Sequence, residues 1–326
     1  MLDVTANPDF SQVESDEPQI TANQRFEVFF PEKRPFFLEN ANYFRTPINL
    51  VFTRRIADPQ FGIRLTGKTG PYAIGGMLID DEAPGKRVPD GDPRAGKRAG
   101  FGIFRVSRDV FSKSNLGVIF TDREFDDTYN RAGGVDGRWW INNNWSANFQ
   151  AVVSSTRLAG GKSRSGPAYE VELKHDSRKI NYTLIYNDRG KEFIAPAGFI
   201  PRANYRGLFQ GLNYQFRPEG KFLIAWEPYQ EYERTWNRSG NRLDWTSYSS
   251  LIFDLARQSS FSVYHRENQS LLAGDDLPRS TRRVISFARK AVFVLTLIIF
   301  HRLRWTQDAS GERTSITRPS PAASHF

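Results

Sequence analysis

Tyr169-Glu170-Val171-Glu172-Leu173-Lys174 alternates apolar and charged side chains at a period of two. Successive side chains of a strand point to opposite faces, so this hexapeptide reads as a strand between two different environments. A few residues on, Ile180, Tyr182, Leu184 and Tyr186 alternate with Asn181, Thr183 and Asn187 at the same period. Working outward, similar segments fall near 62–69, 72–79, 100–108, 115–122, 133–141, 145–154, 204–216, 221–232, 243–256 and 259–267. Gly, Asn, Asp and Pro clusters separate them, which gives about twelve strands and an all-β, antiparallel fold. The link 83–98 (APGKRVPDGDPRAGKR) is polar and suits a solvent loop.

Alternation alone does not say which face meets water. A soluble sandwich turns its apolar face inward, and a membrane barrel turns it outward around a polar lumen. Three features favour lipid. Several segments approach the roughly 9–11 residues a tilted strand needs to cross a bilayer. Aromatic residues gather near strand ends, as an interfacial girdle requires. The polar face carries Arg, Glu, Asn and Tyr, which suit a wet lumen.

Composition excludes more than it selects. Among 326 residues there are no cysteines, so disulfides, thiolate catalysis and thiolate metal sites are ruled out. The four histidines (His175, His265, His301, His325) never fall at metal-ligand spacing. A formal charge of +9 is spread among interspersed acids, a poor footprint for nucleic acid. Aromatics reach 14%, with 26 Phe, 12 Tyr and 7 Trp. Met1–Pro8 has neither the basic nor the apolar region of a secretory signal. No apolar run reaches the length of a transmembrane helix; Ala291–Phe300 is about half of it and reads as a buried strand or short helix.

Residues 1–60 are Pro-punctuated and irregular, 61–278 carry the strands, and 279–326 turn basic, then apolar, then Ser/Thr/Pro-rich. Prolines 8, 18, 31, 35, 47 and 59 preclude a long helix or central strand in the first part.

Gly62–Thr69 matches the G-x-x-x-x-G-K-[ST] phosphate loop, but Gly70-Pro71 follows where a helix must begin. A β-hairpin turning at Gly70-Pro71 is the better reading. Asp122 with Glu124, and Glu170 with Glu172, share strand faces as glycosidase acids would, yet 36 acids produce such pairs freely. No nucleophile-elbow serine is present, His265 reads as structural near a strand end, and Asp90-Gly91-Asp92 lacks the rest of a calcium loop. The aromatic-basic segment Arg25, Phe29, Phe30, Lys33, Arg34, Phe36, Phe37, with Arg54 and Arg55, is the candidate site. It is either a plug anchored against the barrel wall or a glycan or polyanion contact. No catalytic residue, cofactor or metal ligand is expected.

The words NPDFSQVE (7–14), RFEVFFPEKRPFFLE (25–39), FTRRI (52–56) and LTGKTG (65–70) resemble an uncharacterised bacterial family, as do FTDRE (120–124), YNR (129–131) and GFIPR (198–202). The resemblance covers roughly 2–270. It implies an outer-membrane-type β-barrel in a Gram-negative-type bacterium, following a carbohydrate-binding module similar to family 9. Neither that module nor the family's signal peptide has a counterpart here, and the tail from Arg279 departs from the family, as a truncated or frame-shifted reading would. The expectation is a non-enzymatic channel or anchor whose partner is the outer-membrane bilayer. Glycan is reached through the absent module, and nucleic acid is not a partner. The alternative is a soluble β-rich carbohydrate-binding or carbohydrate-active protein.

Overall fold

The computed structural model describes residues 1–8, 10, 27–218, 220–256, 259–271 and 285–296, with backbone alone for 270, 271 and 285–296. The chain opens with strand β1 (Leu2–Ala6), a four-residue helix α1 (Pro35–Leu38) and 3-10 turns at Ala41–Phe44 and Thr53–Arg55. Strands β2 (Pro59–Thr69) and β3 (Tyr72–Asp81) follow, then a short helix α2 (Ala83–Lys86). Next come β4 (Ala99–Val110), β5 (Ser114–Phe125), β6 (Thr128–Trp140), β7 (Trp145–Arg157) and β8 (Ser163–Asp176). The rest are β9 (Ile180–Arg189), β10 (Tyr205–Tyr214), β11 (Leu223–Trp236), β12 (Arg242–Leu255), β13 (Ser259–Leu271) and β14 (Ile285–Thr296).

All fourteen strands form one antiparallel sheet in which spatial order follows chain order. Each β-hairpin therefore packs beside the next, the arrangement with the lowest loop-closure cost. β1 and β14 are the edges, and no ladder joins them among the described residues. The expected barrel is thus seen as an open antiparallel meander. Alternation specifies strands and faces, whereas closure depends on where the two edges end up.

Three local expectations change. Residues 1–60 begin with a strand, because Leu2, Val4 and Ala6 alternate with Asp3 and Thr5 and pair in register with Phe61–Leu65. The divergent tail contributes β14, so Ala291–Thr296 of the apolar run is strand; 297–300 lie outside the described residues. His265 sits in mid-β13 opposite Ser249, not at a strand end. The hairpin at Gly70-Pro71 forms as read: Thr69 pairs with Tyr72, and Gly70 takes the positive φ of 54° that the turn needs.

Residues 29–56 and the β9–β10 connection (190–204) lie together against one face of the sheet, here the inner face. Two buried clusters hold them there. One joins Phe37, Phe44 and Ile56 to Met77, Ile79, Phe101 and Ile103. The other joins Ile48, Leu50, Phe193 and Ala195 to Ile119, Ala132, Val152 and Ala168. This apolar core is supplied in nearly equal parts by the irregular segments and by inward-facing apolar residues of β3–β8. Gly75 makes room for it: a Cβ there would stand 2.9 Å from the Phe44 ring.

Candidate functional site

The inner face is polar wherever the irregular segments do not cover it with hydrocarbon. In β2 the inward positions are Gly62, Arg64, Thr66 and Lys68; the outward ones are Phe61, Ile63 and Leu65. Arg64, almost wholly buried, donates to Asp3 at 2.8 Å and to the backbone carbonyls of Phe36 and Glu39. Arg105 of β4 pairs with buried Asp136 of β6 and donates to the Tyr43 carbonyl at 3.2 Å. Gln150 of β7 accepts the Ile48 N–H at 2.6 Å. Asn130 donates to the Ile194 carbonyl, and the Ser154 hydroxyl accepts the Ile194 N–H. The wall therefore satisfies the backbone of the enclosed segments much as a sheet neighbour would, as buried polar groups demand.

Within the enclosed segment the organising residue is Arg34. It is buried, and donates from Nε and Nη2 to Glu32 at 2.8 and 2.7 Å, from Nη1 to the Ile56 carbonyl at 2.6 Å, and from Nη2 to the Thr53 carbonyl at 2.8 Å. Its guanidinium lies 4.3 Å from the Phe37 ring centroid. A planar fork is the only side chain that meets a carboxylate and two carbonyls at once. Burial alone would raise the Glu32 carboxyl, but hydrogen bonds from Arg34 and Thr53 and the Arg34 charge outweigh it and hold it at about 2.

The candidate residues separate. Arg34, Phe36 and Phe37 cluster at the inner wall, where Phe36 also lies under the Arg64 guanidinium. Phe29 packs with Phe52 and Phe199 at 5.2 Å each and remains half exposed. Phe30 lies 5.9 Å from the Arg54 guanidinium, and Arg55 donates to the Gly198 carbonyl and pairs with Glu27. Lys33 is half-buried next to Arg34; Arg25 lies outside the described residues. Sequence reasoning missed the wall residues that hold this segment: Arg64, Arg105, Asp136, Asn130 and Gln150. Their signal was polar residues at alternate positions opposite Leu, Val and Phe, though alternation does not name which polar position meets a partner.

The acid pairs weighed as glycosidase candidates are in ion pairs. Arg131 binds both Asp122 and Glu124, Arg189 binds Glu170, and Lys174 binds Glu172. Lys68 of the apparent phosphate loop pairs with Asp109 at 2.5 Å.

Farther along the inner face, β11–β13 present a wall of different character. Tyr229, Tyr248 and Tyr264 succeed one another on adjacent strands, with ring centroids 6.0 and 6.2 Å apart. The Tyr229 hydroxyl donates to Glu231 at 2.8 Å, and Glu233 and Arg266 stand on the same face by register.

Across β2–β8 the outer face is apolar at mid-strand, with Asp122, Glu124 and Arg131 toward the β5–β6 turn; on β10–β13 it turns polar, with Gln210, Gln230, Ser249 and His265. Val118 (57% exposed), Val153 (54%), Leu65 (51%), Phe104 and Val135 project from the sheet with no protein over them among the described residues. These side chains neighbour one another on adjacent strands and form an apolar band across β2–β8. Aromatics bound it on both sides. Toward the short turns stand Tyr72, Trp139 against Phe111, Trp145 against His175, and Trp226 against Tyr214 and Phe216. Toward the opposite ends stand Phe61, Tyr129, Trp245, and Tyr186 beside Trp236, while Tyr169 lies at mid-β8 opposite Ala151. Along β6, Trp139 and Tyr129 are ten residues apart, about 33 Å of strand, or roughly 25 Å of height at a tilt near 40°. A shallow groove of about 410 Å³ on this face is floored by Gly100 and Gly102 and walled by Phe61, Leu78, Phe104 and Phe120, with Asp80, Asp122 and Glu124 at one end.

Residues 1–65 match the profile of a domain of unknown function, DUF5916. That span takes in β1, the enclosed segment with its Arg34 cluster, and the first half of β2. No curated protein matches the chain.

Proposed function

We propose that this chain is the wall and plug of an outer-membrane β-barrel in a Gram-negative-type bacterium, with no enzymatic role. One observation carries the reading: across β2–β8 the outer face is apolar at mid-strand and bordered by aromatics, about one hydrocarbon thickness apart along β6, while Arg64, Arg105, Asp136, Asn130 and Gln150 face inward. In water this arrangement leaves an apolar band bare; in lipid it is the polarity expected of a transmembrane barrel. Hydrocarbon does not tolerate open sheet edges, so the reading requires both edges to be paired in the bilayer.

The plug of residues 29–56 suits an anchor, and the polar wall of β11–β13 suits a channel. Association with glycan comes from the resemblance noted above, through a separate module; nucleic acid is not a partner. The test is refolding of the full chain into phosphatidylcholine vesicles, followed by planar-bilayer conductance. Protease-resistant insertion supports the reading. Conductance then assigns a channel, and its absence from an inserted protein assigns an anchor. A folded monomer in detergent-free buffer that ignores vesicles would overturn it in favour of a soluble β-rich carbohydrate-binding protein.

A further inference from the structure

The two ends of the sheet differ in how their charges are balanced. At the end with the longer connections, four exposed cations have carboxylate partners: Lys86 pairs with Asp58 and Glu82, Lys97 with Asp126, Arg98 with Asp80, and Arg164 with Glu192. Arg87, Arg157, Lys162 and Lys191 are exposed there too, without an ion pair to a carboxylate among the described residues but with Asp90 and Asp127 at the same end. The end with the short turns is different. Arg108, Lys113, Arg178, Lys179, Arg217 and Lys221 are all exposed, and none of them pairs with a carboxylate among the described residues. Among the described residues, Asp176 and Asp254 are the exposed acids on this rim, since Asp109 is taken by Lys68; Glu219 lies outside the described residues.

These cations stand among exposed aromatics. Lys113 lies 5.2 Å from the Trp140 ring and Arg108 lies 5.6 Å from Tyr72. Phe222 is 72% exposed. Phe111 is 78% exposed and held at a φ of 58°, a left-handed conformation that a bulky residue adopts only when its surroundings impose it. Rings that prefer the interface, next to cations with no protein counter-ion, form a surface complementary to an anionic lipid headgroup layer.

We infer that the short-turn end is seated in an anionic phospholipid headgroup layer, which supplies the counter-ions for these cations. The inference rests on the membrane reading above and adds to it an orientation and a lipid class. An anionic surface attracts each adjacent Lys or Arg by about fivefold in binding, so several together concentrate anionic lipid at this rim.

The chain has no cysteine, so a single introduced thiol is uniquely labelled. Ser112→Cys places a donor dye in the β4–β5 turn at the short-turn end; Ala159→Cys places it in the β7–β8 turn at the other end. The full chain is reconstituted in phosphatidylcholine vesicles containing about a tenth phosphatidylglycerol, and energy transfer to acceptor-labelled phosphatidylglycerol is compared with that to acceptor-labelled phosphatidylcholine. At Ser112→Cys we expect at least about twofold greater transfer to phosphatidylglycerol. It should fall to parity at about 1 M salt, where screening acts within about 3 Å. It should also vanish when Lys113, Arg178, Lys179, Arg217 and Lys221 are all changed to Gln. Parity at Ser112→Cys in low salt, or equal enrichment at Ala159→Cys, overturns the inference while leaving insertion intact. No transfer to either lipid from either site means the chain does not insert, and the membrane reading fails first.

Discussion

Replacing Arg34 by Met should release the enclosed segment while leaving the sheet folded. The change removes four hydrogen bonds, strands the Ile56 and Thr53 carbonyls, and leaves Glu32, whose side chain is 12% exposed, without its cation. Breaking a buried pair from one side costs about 3–5 kcal/mol. The carboxyl points the same way, since burial, which would raise it, is outweighed by hydrogen bonds from Arg34 and Thr53 and by the Arg34 charge, which hold Glu32 at about 2. The segment's local opening should therefore become easier by about two to four powers of ten. The assay is amide hydrogen exchange. The Ile48 N–H, bonded to Gln150, and the Phe52 N–H, bonded to the Ala197 carbonyl, report on the segment; Ile119 in β5 reports on the sheet. Acceleration by less than about tenfold at Ile48 and Phe52, or equal acceleration at Ile119, would refute the reasoning. Acid offers a second route to the same opening. The docked carboxyl titrates below the free one, so its contribution is complete above about pH 4.5 and is lost as the pH falls through about 2. Arg34→Lys should recover the charge but not the fork, and fall between the two.

Three further outcomes follow from the same structure. Val118→Arg, at the middle of β5 on the outer face, should cost about 2–4 kcal/mol for refolding into vesicles, where a soluble sheet with this exposed position would change by less than about 0.5 kcal/mol; denaturant titration in vesicles measures it. Gly75→Val should drive a side chain into Phe44 and cost about 1–3 kcal/mol, read as a lowered denaturation midpoint together with faster exchange at Ile48. Gln150→Leu takes the acceptor from the buried Ile48 N–H and should cost about 1–3 kcal/mol, with exchange faster at Ile48 than at Phe52.

The strands were legible because their signal is local. Tyr169–Lys174 declares its two faces within six residues, and Gly70-Pro71 after Thr69 declares a hairpin, not a phosphate loop. β1 was missed although Leu2-Asp3-Val4-Thr5-Ala6 alternates, since five residues beside a Pro-rich stretch give a weak signal and the partner strand lies some sixty residues away. The aromatic-basic segment could be picked out by composition, and it does contain Arg34 and Phe37. Its docking could not be: Ile48 meets Gln150 across 102 residues, and Arg105 meets Tyr43 across 62.

The amino-acid sequence by itself determined which residues of each strand share a face, because the two-residue period of the backbone allows nothing else once the strand is set. Only the tertiary structure decided which of the two faces residues 29–56 cover and which is left bare. That choice depends on whether distant segments supply matching donors, acceptors and hydrocarbon. Local alternation is symmetric with respect to inside and outside, and long-range contact breaks the symmetry.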